Sequence, residues 1–299
     1  MNNGYTTISF PFFGIEFDPI RKLEIGPVYI HLYGILIGLG LLLAVLYGWK
    51  RCREFGIKQN DITDGVLYIL PLAIICARLY YCIFSWETYA KDPITILYIW
   101  KGGLAIYGGV IGAIIGVTVF CHFRKIKLPA LLDLVLLGFL IGQSIGRWGN
   151  FFNREAFGAE TESFLRMGLY NIFTGETTYH HPTFLYESLW NAAGFVLLHF
   201  LSKKRQYDGQ IALGYVLWYG LGRTVIEGLR TDSLMWGPVR VSQILAGVTC
   251  IGAAVALFVL SMKRHDSARL FVNRVAVLEE EARAVEVTEE TETVELEKD

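Results

Sequence analysis

The sequence predicts an all-α polytopic membrane protein, and three observations support this fold class. Hydrophobic residues make up 53% of the 299 positions, and charged residues only 18%, less than in a typical soluble domain. The mean hydropathy is +0.41. Seven apolar stretches approach the ~20 residues that a helix needs to cross a bilayer. These predicted spans cover residues 29–48, 64–84, 103–122, 128–146, 184–201, 210–228 and 239–262.

Clusters of basic residues between the spans predict the orientation. Lysine and arginine residues near the ends of spans are retained in the cytoplasm. Such clusters follow spans 1, 3, 5 and 7 and include Arg51, Arg124, Lys204 and Arg264. All of them lie on one side only when the number of spans is odd. We therefore expect seven transmembrane helices, with the amino terminus outside and the carboxyl terminus in the cytoplasm.

Two regions are predicted along the chain. Residues 1–274 form a seven-helix membrane domain. The long connection 147–183, between spans 4 and 5, is rich in aromatic residues, glycine and asparagine, and we expect it to build a small external cap. Residues 275–299 form an acidic tail with ten acidic residues and two basic ones. Because such a run repels itself, we expect this cytoplasmic tail to be disordered.

The cysteines do not form a metal-binding or redox motif. Cys52, Cys76, Cys82, Cys121 and Cys250 lie mostly in apolar segments, without a CxxC pair or histidines at metal-binding spacing. We interpret them as small buried hydrophobic residues. Metal ions, cofactors and nucleic-acid partners are not expected for this chain.

Ionisable residues within the spans indicate where a polar site lies. Such groups are costly in a bilayer and rarely face lipid. Tyr219, Arg223 and Glu227 recur every four residues, so a hydroxyl, a guanidinium and a carboxylate share one face of span 6. An intramembrane Arg–Glu pair can simply join two helices, and a functional site is the alternative.

The depth of the remaining polar residues favours the functional alternative. Near the outer ends or in the outer halves of other spans lie Tyr33, Arg78, Tyr107 and Arg147, and Glu187 at the start of span 5 is a candidate partner for an arginine. Only Asp133 is clearly in the inner half. A transmembrane pathway needs polar groups at all depths, so the pattern indicates a one-sided site. Guanidinium groups match phosphate oxygens, which indicates an anionic lipid headgroup as the ligand.

Glycines recur at four-residue spacing in span 3, at Gly108, Gly112 and Gly116. This pattern is typical of close helix packing through small residues. A lipid groove would also need close backbone approach, and it is the alternative interpretation.

A specific motif follows span 4, where residues 146–158 read GRWGNFFNREAFG. The segment resembles the signature of the prolipoprotein diacylglyceryl transferase family, Gly-Arg-x-Gly-Asn-x-x-Asn-x-Glu-x-x-Gly. The resemblance extends over most of the chain. It includes the segments 31–34 and 77–78, the glycine-rich start of span 3, the segments 181–183 and 185–187, and the segment 219–230.

The resemblance implies a reaction on membrane lipids. The diacylglyceryl group of phosphatidylglycerol would be transferred to the lipobox cysteine thiol of a prolipoprotein signal peptide, as the first step of bacterial lipoprotein maturation. The product is a thioether, and glycerol 1-phosphate leaves. Arg147 and Arg223 would stabilise the negative charge on the departing phosphate. The attacking sulfur belongs to the substrate, which agrees with the lack of an activated cysteine in this chain.

The resemblance also implies roles for neighbouring residues. Asn150, Asn153 and Glu155 would hydrogen-bond the glycerol or orient Arg147, and Glu227 and Tyr219 would hold the Arg223 guanidinium. The predicted catalytic residues are thus Arg147, Arg223 and Tyr107. The predicted substrate-binding residues are Tyr33, Arg78, Asn150, Asn153, Glu155, Gly158, Tyr219, Glu227 and Glu187.

The chain departs from the family pattern at Tyr107, where many members carry histidine. An imidazole base at this position is therefore not essential here. Two roles remain for the phenol, a phenolate base or a neutral hydrogen-bond donor to the phosphate or glycerol. We predict the donor role because a neutral phenol donates a hydrogen bond without the lowered pKa that a phenolate base would need.

Two functions of other classes are weighed against this one. A transporter of anions or lipids would need polar residues through the inner half of the membrane, and many transporters are built from repeats, which this sequence does not display. A non-enzymatic scaffold for signal-peptide helices would make the arginines packing elements.

Overall fold

The computed structural model describes residues 4–25, 28–231, 235–236 and 239–296, which form a mostly helical protein. Its long helices in the first half of the chain are α1 (Leu32–Arg51), α2 (Gln59–Phe84), α4 (Ile106–Arg124) and α5 (Leu128–Asn153), with the short α3 (Trp86–Tyr89) after α2. The second half contains α6 (Thr183–Ser202), α7 (Gln210–Glu227), α8 (Val241–Ser261) and α9 (Phe271–Leu296).

Each predicted span coincides with a helix, namely α1, α2, α4, α5, α6, α7 and α8. Among the described residues, six of these helices are long and apolar enough to cross a membrane. The exception is α7, whose apolar character is reduced by Gln210, Arg223 and Glu227. The structure therefore supports a polytopic membrane protein with six candidate spans. The seventh span and the orientation stay predictions.

The described chain also contains short strands, so the expectation of an all-α fold is wrong in this respect. They are β1 (Tyr5–Phe10), β2 (Ile15–Phe17), β3 (Lys22–Ile25), β4 (Val28–His31), β5 (Met167–Asn171), β6 (Glu176–His180), β7 (Met235–Trp236) and β8 (Val239–Arg240). One antiparallel sheet has the order β2-β1-β5-β6, and two hairpins pair β3 with β4 and β7 with β8. The amino-terminal segment thus pairs with the connection between α5 and α6.

This connection begins later than predicted. We expected the loop to start at residue 147, but α5 continues to Asn153. The sequence has no proline here to break the helix, so the hydrogen-bonding pattern continues for two further turns. Arg147, Asn150 and Asn153 are therefore presented by a helix rather than by a loop. Whether the sheet forms the expected external cap stays a prediction.

The chain divides into two compact units, and the first contains residues 1–47 and 135–266. Its sheet packs on the ends of two helices, where Ile8, Met167 and Leu169 join Phe151 of α5 and Phe184 of α6 in a buried core. Helices α6 and α7 are joined by the stacked indoles of Trp190 and Trp218, with ring centroids 4.3 Å apart. Each indole N–H donates to the other residue's backbone carbonyl, at 3.0 and 2.9 Å.

The second unit contains residues 48–134 and 267–299. In this unit α2 packs against the face of α4 that carries Gly108, Gly112 and Gly116. A Cβ on Gly112 would lie 2.7 Å from the Cβ of Cys76 and 3.0 Å from the Cα of Ala73, so only glycine permits this approach. The glycine spacing of span 3 therefore serves close helix packing. Arg124 of α4 forms ion pairs with Asp61 and Asp64 of α2.

The tail differs from the expectation of disorder after residue 274. Helix α9 begins at Phe271 and continues to Leu296, through the predicted boundary. Its first turns line a cavity together with Cys121, His122 and Lys125 of the same unit. Val272 also packs against Gly56. The apolar residues at the start of α9 stabilise a helix that charge repulsion alone would oppose.

Candidate active site

A buried carboxylate on α6 joins arginines from three places in the first unit. Glu187 is 4% exposed. Its Oε2 lies 2.7 Å from Nη2 of Arg147 on α5, and its Oε1 lies 3.3 Å from Nη1 of Arg223 on α7. Arg230, just after α7, donates from Nη1 to the same Oε1 at 3.2 Å. One carboxylate thus holds three guanidinium groups together.

A second buried carboxylate, Glu227 at the end of α7, completes the cluster. Its Oε2 lies 2.5 Å from Nη2 of Arg223 and 3.9 Å from Nε of Arg230. Its Oε1 accepts a hydrogen bond of 2.5 Å from the hydroxyl of Ser242 on α8. Arg240 donates to its backbone carbonyl. The guanidinium of Arg223 is therefore held between two carboxylates, one on its own helix and one on α6.

The accessible part of this cluster is cationic. The side chains of Arg147, Arg223 and Arg230 are 25%, 19% and 11% exposed, whereas those of Glu187 and Glu227 are 5% and 2% exposed. Three guanidinium groups against two carboxylates leave an excess of one positive charge. A ligand that enters meets arginine N–H groups, whose forked geometry matches carboxylate or phosphate oxygens.

The signature residues form a polar network beside Arg147. The N–H of Glu155 donates to the carbonyl of Asn150 at 3.0 Å, which turns the chain back over the end of α5. The Glu155 carboxylate then accepts from the side-chain amides of Asn150 and Asn153, both at 3.1 Å. Nη1 of Arg147 lies 3.4 Å from Oδ1 of Asn150. The two asparagines and Glu155 are thus positioned to orient Arg147.

Gly158, the last signature residue, lets two backbone segments meet. It forms an isolated antiparallel bridge with Arg230. The next residue, Ala159, donates from its N–H to the carbonyl of Leu229 at 2.7 Å. A Cβ on Gly158 would lie 2.7 Å from the Cβ of His181 and 2.9 Å from the Leu229 carbonyl oxygen. The role of Gly158 is therefore to let its backbone approach the segment after α7. This backbone contact positions Arg230 for its ion pair with Glu187.

Arg154 anchors the amino-terminal segment to the end of α5. Its φ of 54° is left-handed, a position that glycine usually occupies after a helix. The guanidinium is almost fully buried and donates to the backbone carbonyls of Thr6 and Pro19, at 2.5 and 2.7 Å, and to the Asp18 carboxylate. Burial lowers the pKa of this guanidinium, and the nearby charge of Arg21 acts in the same direction, whereas Asp18 opposes both.

Two predicted tyrosines of the first unit lie close to these residues. The ring of Tyr33 packs on Gly149 of the signature, where a side chain would collide with it. Tyr219 precedes Arg223 by one turn of α7, and its ring stacks on Tyr215 with centroids 5.7 Å apart. The Tyr215 hydroxyl accepts from the amide of Gln143, one turn before Arg147, at 3.0 Å. Tyr215 and Tyr219 thus extend the polar face of α7 from Arg223 toward the start of the helix.

Arg78, in the second unit, has a well-defined structural role. It is 5% exposed. Its guanidinium donates to four backbone carbonyls of the segment before α4, those of Thr95 and Gly102 at 2.7 Å, Ile96 at 2.8 Å and Gly103 at 2.9 Å. These bonds hold the segment between α3 and α4. A contact of Arg78 with substrate stays a prediction.

Tyr107 lies in the first turn of α4, also in the second unit. Its side chain is 60% exposed. Its ring centroid lies 6.4 Å from that of Tyr80 on α2. The phenol is therefore accessible to a ligand or to lipid, and its predicted donor role stays a prediction.

Sequence reasoning missed Arg230 and Ser242. Arg230 follows Glu227 by three residues, a spacing that allows an ion pair, but Gly228 interrupts the helical pattern between them. Ser242 is an ordinary residue at the start of an apolar span. Among the described residues, no three His, Cys, Asp or Glu side chains converge at metal-binding distance.

Comparison with known proteins agrees with the signature. The sequence model of the prolipoprotein diacylglyceryl transferase family matches residues 21–259. The chain belongs to this family. A phosphatidylglycerol–prolipoprotein diacylglyceryl transferase of Limosilactobacillus reuteri is 42% identical over 259 residues, which cover 84% of this chain and 93% of the relative. The transferase of Ligilactobacillus salivarius is 45% identical over 244 residues, covering 79% and 91%, and that of Bacillus cereus strain B4264 is 46% identical over 231 residues, covering 75% and 85%.

As a member of the prolipoprotein diacylglyceryl transferase family, the chain is a transferase and a multi-pass membrane protein. The matched region contains every residue of the arginine cluster. It ends before α9, so the acidic tail lies outside the family match.

Proposed function

We propose that this transferase moves the diacylglyceryl group of phosphatidylglycerol to the lipobox cysteine thiol of prolipoproteins, the first step of lipoprotein maturation. The relatives carry names that state phosphatidylglycerol and prolipoprotein as substrates. The observation that carries the proposal is the cluster in which buried Glu187 orients Arg147, Arg223 and Arg230. Such a cluster suits a reaction whose leaving group is a phosphate.

The proposed step is a displacement at the glyceryl carbon that bears the phosphate ester. The lipobox sulfur attacks this carbon, a carbon–sulfur bond forms, and the carbon–oxygen bond to the phosphate breaks. The thiol proton is released to solvent, and the electron pair of the broken bond leaves on glycerol 1-phosphate. Negative charge develops on phosphate oxygens in the transition state, where preorganised donors are most effective.

Arg147 and Arg223 supply these donors in the proposal. Both retain accessible surface while their carboxylate partners are buried, so N–H groups remain for the phosphate. Glu187 joins the two guanidinium groups, which reduces the cost of ordering them when substrate binds. Arg230 is a third donor on the same carboxylate. The headgroup would therefore meet an arrangement that is already formed.

The other predicted residues have supporting roles in the proposal. Asn150, Asn153 and Glu155 orient Arg147 or hydrogen-bond the glycerol, and Glu227 holds Arg223. Gly158 acts through backbone position. We propose that Tyr33 and Tyr219 contact the lipid beside the cluster. Substrate contacts for Arg78 and Tyr107, which belong to the other unit, are proposed from the family resemblance alone.

We further propose seven spans, with the carboxyl terminus in the cytoplasm and the site at the outer side of the bacterial inner membrane. The basic clusters after spans 1, 3, 5 and 7 support this orientation. Phosphatidylglycerol of the outer leaflet and a translocated signal peptide would then both reach the arginines.

A direct assay tests the proposed function against its alternatives. Purified protein is incubated with phosphatidylglycerol and a lipobox peptide, and the peptide mass is measured. We expect a diacylglyceryl adduct on this peptide. A control peptide in which serine replaces the lipobox cysteine should form no adduct. A transporter would move lipid between vesicles without an adduct, and a scaffold would bind the peptide unchanged. Either result would reject the proposal.

A further inference from the structure

An aromatic patch lies exposed at one end of the four-stranded sheet. Phe12 and Phe13 of the turn between β1 and β2 are 64% and 55% exposed, Ile15 at the start of β2 is 49% exposed, and the neighbouring Phe164 is 62% exposed. The rings contact one another, with centroids 5.1 Å apart for Phe12 and Phe13 and 5.6 Å apart for Phe12 and Phe164. Contiguous exposed apolar surface of this kind marks a binding site for protein or membrane.

The register of the sheet places this patch at the end where β6 leads into α6. Met167 pairs with His180, and α6 begins three residues after His180. Ser9 pairs with Gly168 at the same end of the sheet. The turn that follows Phe10 therefore lies beyond this end. Residue 164, three positions before β5, lies beyond the same end.

The base of the patch is fixed to the end of a candidate span. The rings of Phe10, at the end of β1, and Phe17, at the end of β2, lie 6.5 and 5.4 Å from the ring of Phe151 in the last turn of α5. Phe151 in turn lies 4.8 Å from Phe184 at the start of α6. Because α5 and α6 are candidate membrane spans, the bilayer surface must lie close to these helix ends. The patch is therefore within a few residues of the bilayer boundary.

The turn is rigid and uncharged. Pro11 begins a single 3-10 turn, and Gly14 closes it with a φ of 63° and a hydrogen bond of 3.2 Å to the Pro11 carbonyl. Residues 5–15 contain no charged side chain. Insertion of this turn into the headgroup region would thus cost little conformational entropy and would bury no charge of residues 5–15.

We propose that the patch formed by Phe12, Phe13, Ile15 and Phe164 inserts into the bilayer at the boundary between headgroups and acyl chains. Apolar and aromatic side chains on amphipathic elements occupy this boundary in membrane proteins. The partner is the lipid itself, because the base of the patch is fixed to the ends of two candidate membrane spans. Its role is to fix the sheet against the membrane next to the arginine cluster.

The opposite end of the sheet provides a matched control. The turn between β5 and β6 carries Phe173, which is 74% exposed and follows residue 171, at the far end of the register from the helix ends. It is as apolar as Phe13 and more exposed. On our proposal it points away from the bilayer boundary.

Photo-crosslinking in nanodiscs of phosphatidylglycerol and phosphatidylcholine tests the proposal. The full chain is made with Phe13→p-benzoylphenylalanine, Phe164→p-benzoylphenylalanine or Phe173→p-benzoylphenylalanine, irradiated and analysed by intact mass. We expect a mass increase of one phospholipid at positions 13 and 164 and none at 173. Positions 13 and 164 are both tested, so that the proposal can still be judged if one of the two variants fails to fold.

Other outcomes would overturn the proposal. Equal lipid adducts at positions 13 and 173 would mean that exposure alone decides crosslinking. A crosslinked second copy of the chain, or a crosslinked signal peptide added to the nanodiscs, in place of lipid at position 13 would assign the patch to a protein partner. Absence of lipid adducts at both 13 and 164 would also reject it. None of these readouts depends on transferase activity.

Discussion

At the scale of single residues, the cluster is organised by its buried carboxylates. Glu187 and Glu227 are almost fully buried, and each contacts more than one guanidinium group. Removing one partner of a buried ion pair typically costs about 3–5 kcal/mol, because the remaining charge is left uncompensated. The arginines are thus not independent side chains, and substitutions within the cluster should not be additive.

The shape of the guanidinium groups is predicted to matter more than their charge. Arg147→Lys or Arg223→Lys keeps the positive charge but removes the fork that contacts a carboxylate and a phosphate together. We expect turnover to fall by about tenfold or more in each variant, with folding preserved. The measurement is the rate of adduct formation, with size-exclusion behaviour as the folding check.

Arg166→Lys is the matched control for this experiment. Arg166 lies outside the cluster, with its guanidinium 5.0 Å from the ring of Tyr179. The control should transfer lipid at the wild-type rate. Near-normal turnover in both cluster variants would reject the phosphate role of the arginines.

Tyr107 is predicted to act as a hydrogen-bond donor. Tyr107→His should retain substantial activity, since an imidazole also donates. Tyr107→Phe should lose about 1–3 kcal/mol of transition-state stabilisation, a fall of about five- to 150-fold in kcat/KM. The pH profile should keep the same limbs in wild type and Tyr107→Phe. A limb that disappears in Tyr107→Phe would support a base, and full activity of that variant would make Tyr107 a packing residue.

At the scale of elements, the end of α5 connects the site to the sheet. The chain reverses after Asn153, the Glu155 carboxylate returns to the asparagines of the last turns, and Gly158 meets the segment after α7. A helix end, a backbone bridge and a buried arginine anchor therefore set the positions of Arg147 and Arg230. The signature segment therefore supplies the polar network beside Arg147 and also the backbone contact, called here the junction, between Gly158 and the segment after α7.

Gly158→Ala tests the junction. The added methyl group would approach the Cβ of His181 and the Leu229 carbonyl within 3 Å, so one of the two segments must move. Overpacking of this kind typically costs about 1–3 kcal/mol. We expect a lower melting temperature and reduced turnover, because Arg230 moves with the segment. Gly252→Ala in α8, where an added Cβ meets no atom within 4 Å, is the control and should lower neither value, because alanine is favoured over glycine within a helix.

The sequence was informative about elements built from local patterns. Apolar stretches of about 20 residues correspond to the long helices because membrane crossing imposes that length, and the four-residue spacing of Arg223 and Glu227 corresponds to an ion pair. The short strands were missed because their pairing joins residues near position 8 to residues near 169. Arg230 was missed for the same reason, since its place depends on the distant Gly158.

Sequence patterns also do not show which backbone groups or distant residues a side chain contacts. Arg78 was grouped with the other membrane arginines as a ligand for phosphate. Its guanidinium donates to backbone carbonyls of the segment before α4, which no sequence pattern indicates, and its contact with substrate stays a prediction. The acidic tail was expected to be disordered from its charge alone, whereas apolar residues at its start pack within the second unit as part of a helix.

At the scale of the whole molecule, the orientation in the membrane decides which substrates can reach the cluster. A topology reporter fused after Asp299 should report a cytoplasmic location, and the same reporter inserted in the loop 159–178 should report an external location. The reason is that the basic clusters are retained on the cytoplasmic side. A reporter at Lys203 to Arg205 is the internal control and should also be cytoplasmic. An externally accessible carboxyl terminus would contradict the seven-span topology.

The central claim is that the arginine cluster promotes displacement of a phosphate from the glyceryl carbon. Its most direct test uses phosphatidylglycerol with ¹⁸O between the diacylglyceryl carbon and phosphorus, together with the lipobox peptide and the purified protein. The account predicts one glycerol 1-phosphate that retains ¹⁸O for each thioether peptide formed, and a peptide adduct without phosphorus. An adduct that contains phosphorus, or glycerol phosphate without the label, would mean that a different bond breaks and would contradict the account.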